Sequence, residues 1–253
     1  MGSATTQALA ATRAALNAVQ GIDLGTAREL FAAARVVGDS PQLGGALADP
    51  VAAPQARARV VTDVFGSVLA APALSLLTAA AEQRWSRSED LVDGIEDLAV
   101  RAASVAAGDA DLEGELFAVS QTVAAHPELE LALGSKVGQS AAKGALAERV
   151  LGGRASEATT LIVSALVQHP RGRRVHQLLA MAMRTVSDQR GRTVATVVSA
   201  LPLTAAQSER LVAALGAKYG RGVSLNAVID PAIVGGLRVQ IADDVIDGSI
   251  SGR

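Results

Sequence analysis

The chain has 253 residues, 49% hydrophobic but only 2% aromatic, so its apolar mass is alanine, valine and leucine, enough for one large core or two modest ones. It has no cysteine, which excludes disulfides and thiolate metal sites and fits the cytosol; a formal charge of −2 gives no general attraction to nucleic acid or to an anionic membrane. No stretch approaches ~20 strongly apolar residues, and the first residues lack a basic cluster before an apolar run, so neither a membrane span nor a signal peptide is expected.

The first predicted helix reads "ATTQALAATRAALNAV", with Leu9, Leu16 and Val19 near helical spacing and Gly21 closing it. A second spans about Thr26 to Val37. Ser40 then has the chemistry of an N-cap, with Pro41 at the first position of a short helix ending near Ala48. Helices follow over 55–70, 72–84 and Ser88 to about Ala107, before "GDAD" (108–111) breaks the chain.

The second half then repeats the first. At an offset of 86 residues, "ELFAAARVVGDSPQLGGAL" (29–47) lies over "ELFAVSQTVAAHPELELAL" (115–133) without a gap. Glu29, Phe31, Pro41 and Leu47 meet Glu115, Phe117, Pro127 and Leu133, and the match fades after about residue 92. Two of the three phenylalanines and a helix-breaking proline keep register, which points to a duplicated helical unit.

After residue 190 the period changes. "RTVATVVSA" (192–200) is β-branched and suits a strand, and a helix follows with Thr204 and Gln207 at capping-box spacing and Gly220 at its C-terminal cap. "VSLNAVI" alternates with Val223, Leu225, Ala227 and Ile229 on one side; "LRVQIA" alternates with Leu237, Val239 and Ile241 on one face and Arg238 and Gln240 on the other. Asp243 and Asp244 suit a tight turn into "VIDGSI". The fold class is therefore mainly α, tandem helical bundles followed by a small α+β domain. The division is 1–107 for a first bundle, 108–190 for a second that can share the helix at 88–107, and 191–253 for the terminal domain.

A search for reactive groups returns bland readings. "GDS" at Gly38–Ser40 superficially resembles an esterase nucleophile block but interrupts two helices, where capping is the economical role. His169 and His176 flank Pro170 and Gly172 and lack further ligands for a metal. Arg171, Arg173 and Arg174 have no interleaved aromatics and suit a solvated loop or a protein contact. Gly235–Gly236 lacks the surroundings of a phosphate loop and suits positive φ or close backbone approach. Asp247, Gly248 and Ser249 read as a turn, without a neighbouring base to make the serine a nucleophile. Trp85 suits a helix corner or an interface anchor. No catalytic residue, cofactor site or metal site is expected.

Taken in order, Ser199–Ala200–Leu201–Pro202–Leu203, Asp230–Pro231, Gly235–Gly236 and Asp247–Gly248–Ser249 resemble the C-terminal signature of the delta subunit family of the rotary F-type ATP synthase, whose mitochondrial members are the oligomycin-sensitivity proteins. Residues 93–190 are similar to that family's N-terminal bundle of about six helices, and residues 1–110 to the extra copy of the long actinobacterial form. The chain ends at Arg253, where relatives often run on a few residues. The resemblance implies a non-catalytic peripheral-stalk subunit at the cytoplasmic face of the cell membrane, one copy per complex, which resists rotary torque during ATP synthesis and hydrogen ion transport. Its implied partners are the N-terminal segments of the alpha subunits, docked beside the first and fifth helices of a bundle, and the C-terminal end of the b subunit on the terminal domain. The second copy, contiguous with that domain, is the expected seat for alpha. Leu161, Val163 and Leu166 on its fifth helix, with Trp85, are the candidate contacts. The alternatives are a tandem-bundle adaptor unrelated to that synthase, or an esterase using Ser40 or Ser249.

Overall fold

A computed structural model describes residues 2–135, 139–220, 222–231, 233, 235–241 and 244–248. Six helices make the first copy: α1 (Ser3–Ala18), α2 (Leu24–Asp39), α3 (Pro41–Leu47), α4 (Pro54–Phe65), α5 (Ala71–Glu82) and α6 (Ser88–Ala106). Five more follow as α7 (Leu112–Ala125), α8 (Pro127–Gly134), α9 (Ser140–Leu151), α10 (Glu157–Gln168) and α11 (Val175–Gln189). The fold class is the expected one, helices first and a small sheet last.

Side-chain caps set several boundaries. Asp23 accepts from the Thr26 N–H at 2.7 Å and from its hydroxyl at 2.8 Å, starting α2 two residues before the predicted Thr26. Ser40 caps α3, accepting from the Leu43 N–H at 3.3 Å with Pro41 in the first turn, as the sequence implies. α4 stops at Phe65, short of the predicted residue 70, because Gly66 ends it and the Val68 and Leu69 N–H groups fold back on the Phe65 carbonyl. α5 stops at Glu82 because the Arg57 guanidinium takes the carbonyls that would extend it, Ala81 at 2.7 Å, Glu82 at 2.8 Å and Gln83 at 3.2 Å.

The 86-residue offset persists in three dimensions. α4 and α5 map onto α9 and α10 residue for residue at both ends. The devices repeat as well. Glu29 accepts from the Ala70 N–H at 2.8 Å, and its counterpart Glu115 accepts from the Ser156 N–H at 3.0 Å, each capping the fifth helix of its copy from the second. Arg57 donates to the Asp49 carbonyl, and its counterpart Lys143 donates to the carbonyl of Ser135, the counterpart of Asp49. Beyond residue 92, where the residue identities lapse, the elements still correspond, since α6 overlaps α11 at the same offset.

α6 serves both halves. It packs on α1, α2, α3 and α5 and also on α10 and α11, and 13 of its 19 residues are buried. One apolar core runs from Ala8 in α1 to Val186 in α11.

The terminal part has β1 (Arg192–Ser199), α12 (Ala205–Tyr219), β2 (Gly222–Ile229), β3 (Leu237–Ile241) and β4 (Asp244–Asp247), with sheet order β2-β1-β3-β4. β1 pairs parallel with β2 and antiparallel with β3, so α12 is the crossover that parallel pairing requires. α12 carries the predicted capping box at Thr204 and Gln207 and ends on Gly220 at φ 67°. Its core is separate and small: Ala195, Val197, Leu215, Val223, Val239 and Ile241. The alternation of β3 follows the sequence pattern. That of β2 fails in its second half, where Ala227 and Ile229 are exposed and Asn226 is buried. α12 covers only the first part of β2, and Asn226 lies on the opposite face with its amide 4.0 Å from Met183 Sδ on α11. Asp243 lies outside the described residues; Asp244 opens β4.

Candidate partner-binding surfaces

The C-terminal motif blocks are distant in sequence but meet at one end of the sheet. β1 ends at Ser199, whose carbonyl accepts from the Asp230 N–H at 2.9 Å, and whose hydroxyl donates to the Leu201 carbonyl at 2.8 Å. Asp230 then accepts at its carbonyl from the Ile233 N–H at 3.1 Å, closing a turn through Pro231. Gly236 has φ 85°, a conformation open to glycine and strained for other residues, and it leads into β3. The Gly248 N–H donates to the Leu237 carbonyl at 2.9 Å, which places Asp247 and Gly248 beside the glycine pair. Ser249 lies outside the described residues. Pro202, Leu203, Gly235, Gly236 and Leu237 line an open groove here, flanked by Leu201 at 75% exposure. Exposed Val245 and Ile246 on β4 extend apolar surface along the edge of the same sheet.

The candidate contacts of the helical part fall differently. Trp85 is 4% exposed, donates its indole N–H to the Ala80 carbonyl at 2.8 Å and lies so close to Gly94 that a Cβ there would meet its ring at 2.2 Å. It is a corner wedge. Val163 and Leu166 are each 1% exposed, because an amphipathic helix buries one face in its own bundle and α10 is covered on a second face too. Those three are corrected from surface to core; Leu161 alone is half-buried.

The second cover is α2, which contacts both α6 and α10. A Cβ at Gly38 would touch Val92 of α6 at 3.4 Å, and Asp39 reaches His169 at the end of α10 at 3.6 Å. Among the described residues, the corresponding first and fifth helices of the first copy, α1 and α5, carry no such cover. α1 has four buried residues of 16 against 13 of 19 for α6, and α5 has five of 12 against eight of 12 for α10. The face of α1 and α5 is lined by small side chains, with Ala4, Ala11, Ala15 and Ala79 half-buried and Ser75 exposed.

Charged groups serve the frame. Arg171 and Arg173 both reach Glu96 of α6, at 2.7 and 2.8 Å, and both pair with Asp93, so the loop after α10 is bolted to α6 and is not a solvated basic patch. Arg101, 1% exposed, bridges Asp97 at 2.6 Å and Asp188 of α11 at 2.9 Å, and Arg13 of α1 reaches the same Asp188 at 3.0 Å. Sequence reading missed this junction, because an arginine in an alanine-rich helix looks solvated until a third helix closes over it.

Burial alone would push the Glu115 carboxyl up, but hydrogen bonds from Ser156 and Thr159 outweigh it and hold its pKa below the usual 4.5. A carboxyl depressed on folding contributes stability above its unfolded pKa, and that stability is lost as pH falls through the folded value. Glu115→Gln should therefore be destabilising at pH 7, with the deficit from wild type shrinking below pH 4.5, read by urea titration at stepped pH.

Among the described residues no three potential metal ligands cluster, and no helix is long and apolar enough to cross a membrane. Residues 98–253 match the family described as ATP synthase delta (OSCP) subunit, beginning inside α6. The chain is 50% identical over 255 residues to the ATP synthase subunit delta of Leifsonia xyli subsp. xyli, covering 100% of this chain and 96% of the relative. It is 40% identical over 231 residues to that of Streptomyces avermitilis, covering 90% and 85%, and 41% identical over 239 residues to that of Kineococcus radiotolerans, covering 92% and 87%. With its motif blocks gathered at one sheet end, and with matches spanning all of its length, the chain belongs to the ATP synthase delta (OSCP) subunit family.

Proposed function

We propose that this chain is a passive mechanical joint, held to the catalytic head by its first helical copy and to the b-subunit stalk by its terminal domain. Family membership makes it a stator subunit of the ATP synthase, part of a membrane-associated complex, and nothing favours an adaptor unrelated to that enzyme. The finer reading places it at the cytoplasmic face without chemistry of its own. It treats 1–107 and 108–190 as two bundles sharing the helix at 88–107, and 191–253 as the foot that takes the end of b in the groove beside Pro202 and Gly235.

One observation carries the choice of copy. α2 lies across α6 and α10, the first and fifth helices of the second copy, whereas the equivalent α1 and α5 face is open. This favours the first copy over the second as the seat for alpha. An amphipathic helix from an alpha subunit would lie on α1 and α5 much as α2 lies on α6 and α10, its larger side chains filling shallow grooves between alanines. Nanomolar retention corresponds to about 12 kcal/mol, which preformed grooves can supply because little needs to be ordered on the receiving side.

Ser75 on α5 and Leu161 on α10 are counterparts at the 86-residue offset. Ser75→Arg should weaken binding of an alpha N-terminal peptide about 10-fold or more, the loss of roughly 1.4 kcal/mol, while Leu161→Gln leaves it unchanged. Titration of labelled peptide by fluorescence anisotropy checks this. The reverse ranking would return the site to the second copy.

A further inference from the structure

The two copies differ in how they fill their interiors. Between α7, α8, α9 and α10 the second copy has a half-open pocket of about 430 Å³ whose walls include Val119, Val123, Leu133, Leu151 and Val163. At the 86-residue offset, Leu151 stands opposite Phe65, Ala147 opposite Val61, Val163 opposite Leu77 and Ala155 opposite Leu69. In the first copy Phe65, Val61 and Leu77 are 4%, 0% and 0% exposed and occupy the equivalent space, with Leu69 packed against them in the same core. These four replacements are smaller and outweigh the one larger apolar side chain, Val119 opposite Ala33, whereas Val123, Leu129, Leu133 and Val150 keep the residue types of Val37, Leu43, Leu47 and Val64. The pocket is thus a particular subtraction from a shared plan. Its walls are mainly apolar, with polar groups at the rim, so water in it finds few partners and wall atoms lack packing on one side.

We infer that the second copy is a binding site for a small, neutral, apolar molecule with the bulk of an aromatic ring or a short hydrocarbon chain. The first copy supplies the size, since a phenyl ring sits where the pocket opens. An apolar void of roughly 150 Å³ is enough for benzene. The rim supplies the charge preference: Asp111 and Glu115 stand there with a single guanidinium, Arg154, so an anionic amphiphile such as a fatty acid meets more like charge than opposite charge. Glu115 stays ionised because Ser156 and Thr159 hold its carboxylate. Occupancy stabilises the second copy by mass action and stiffens the segment between the first copy and the terminal domain. The inference is independent of which copy binds the alpha subunit.

The test uses the purified full chain with benzene as probe. Saturating benzene should raise the melting temperature by about 4 °C and shift methyl resonances of Val119, Val163 and Leu151 but not those of Val61 and Leu77. The double variant Leu151→Phe with Ala155→Leu, which restores the first-copy side chains, should melt higher without benzene and gain nothing from it. Ala147→Val, a milder filling, should reduce the benzene response and guards against misfolding of the double variant. A wild-type chain indifferent to benzene, an equal response in Ala147→Val, or shifts spread evenly over both copies would overturn the assignment.

Discussion

Replacing Arg101 by alanine should lower the unfolding free energy by about 3–5 kcal/mol, the usual consequence of stripping one partner from a buried ionic cluster. The guanidinium is 1% exposed, spans Asp97 and Asp188, and reaches the Gln189 side-chain carbonyl at 3.2 Å. Asp188 keeps Arg13 at 3.0 Å, whereas Asp97, mostly buried, keeps only a neutral donor, the Thr185 hydroxyl at 3.1 Å, so Asp97 is the carboxylate that loses the charge repaying its desolvation. Arg101→Lys should recover only part of the loss, because one ammonium cannot reproduce a fork that bonds two carboxylates at once. Urea unfolding followed by far-ultraviolet circular dichroism measures both. A cost under about 1 kcal/mol for Arg101→Ala would mean that the junction of α1, α6 and α11 is held by apolar packing alone.

The second large effect is expected in the terminal domain. Ile241 and Val239 are 3% and 5% exposed in a core of six buried residues, so an aspartate at either position buries an unpaired charge in a unit with little stability to spare. Ile241→Asp should unfold the sheet while leaving the helices, because the helical core is a separate cluster. Amide exchange protection should vanish over 192–247, and helical ellipticity should fall only by the share of α12. Binding of a fragment from the C-terminal end of b should be lost as well. Retained protection in β1 and β3 would show that the sheet is sustained by contacts with α11 more than by its own core.

Much of this architecture is legible in the residues, for local reasons. Ser40–Pro41 starts a helix, Thr204 and Gln207 form a reciprocal cap, Gly220 and Gly236 take positive φ, and "LRVQI" alternates as a half-buried strand. The duplication is legible too, because Phe31, Pro41 and Leu47 keep register with Phe117, Pro127 and Leu133. What the chain conceals is decided between elements. Trp85, Val163 and Leu166 look available until α6 and α10 are covered by their neighbours. Arg171 and Arg173 look solvated until Glu96 and Asp93 come within reach. Asn226 looks like the polar face of a strand until α11 packs behind it. The Glu29 and Glu115 caps are half visible: the two acids match in sequence, but their acceptance of N–H groups 41 residues away needs the fold.

The claim that this is a load-transmitting joint with no chemistry of its own is tested most directly by stripping the chain from energised membrane vesicles and adding it back. Proton-driven ATP synthesis should disappear on removal, return with the wild-type chain and fail to return with Ile241→Asp, while ATP hydrolysis by the detached head continues throughout. Synthesis that survives removal of the chain, or hydrolysis by the head that needs the chain to be present, would contradict the account.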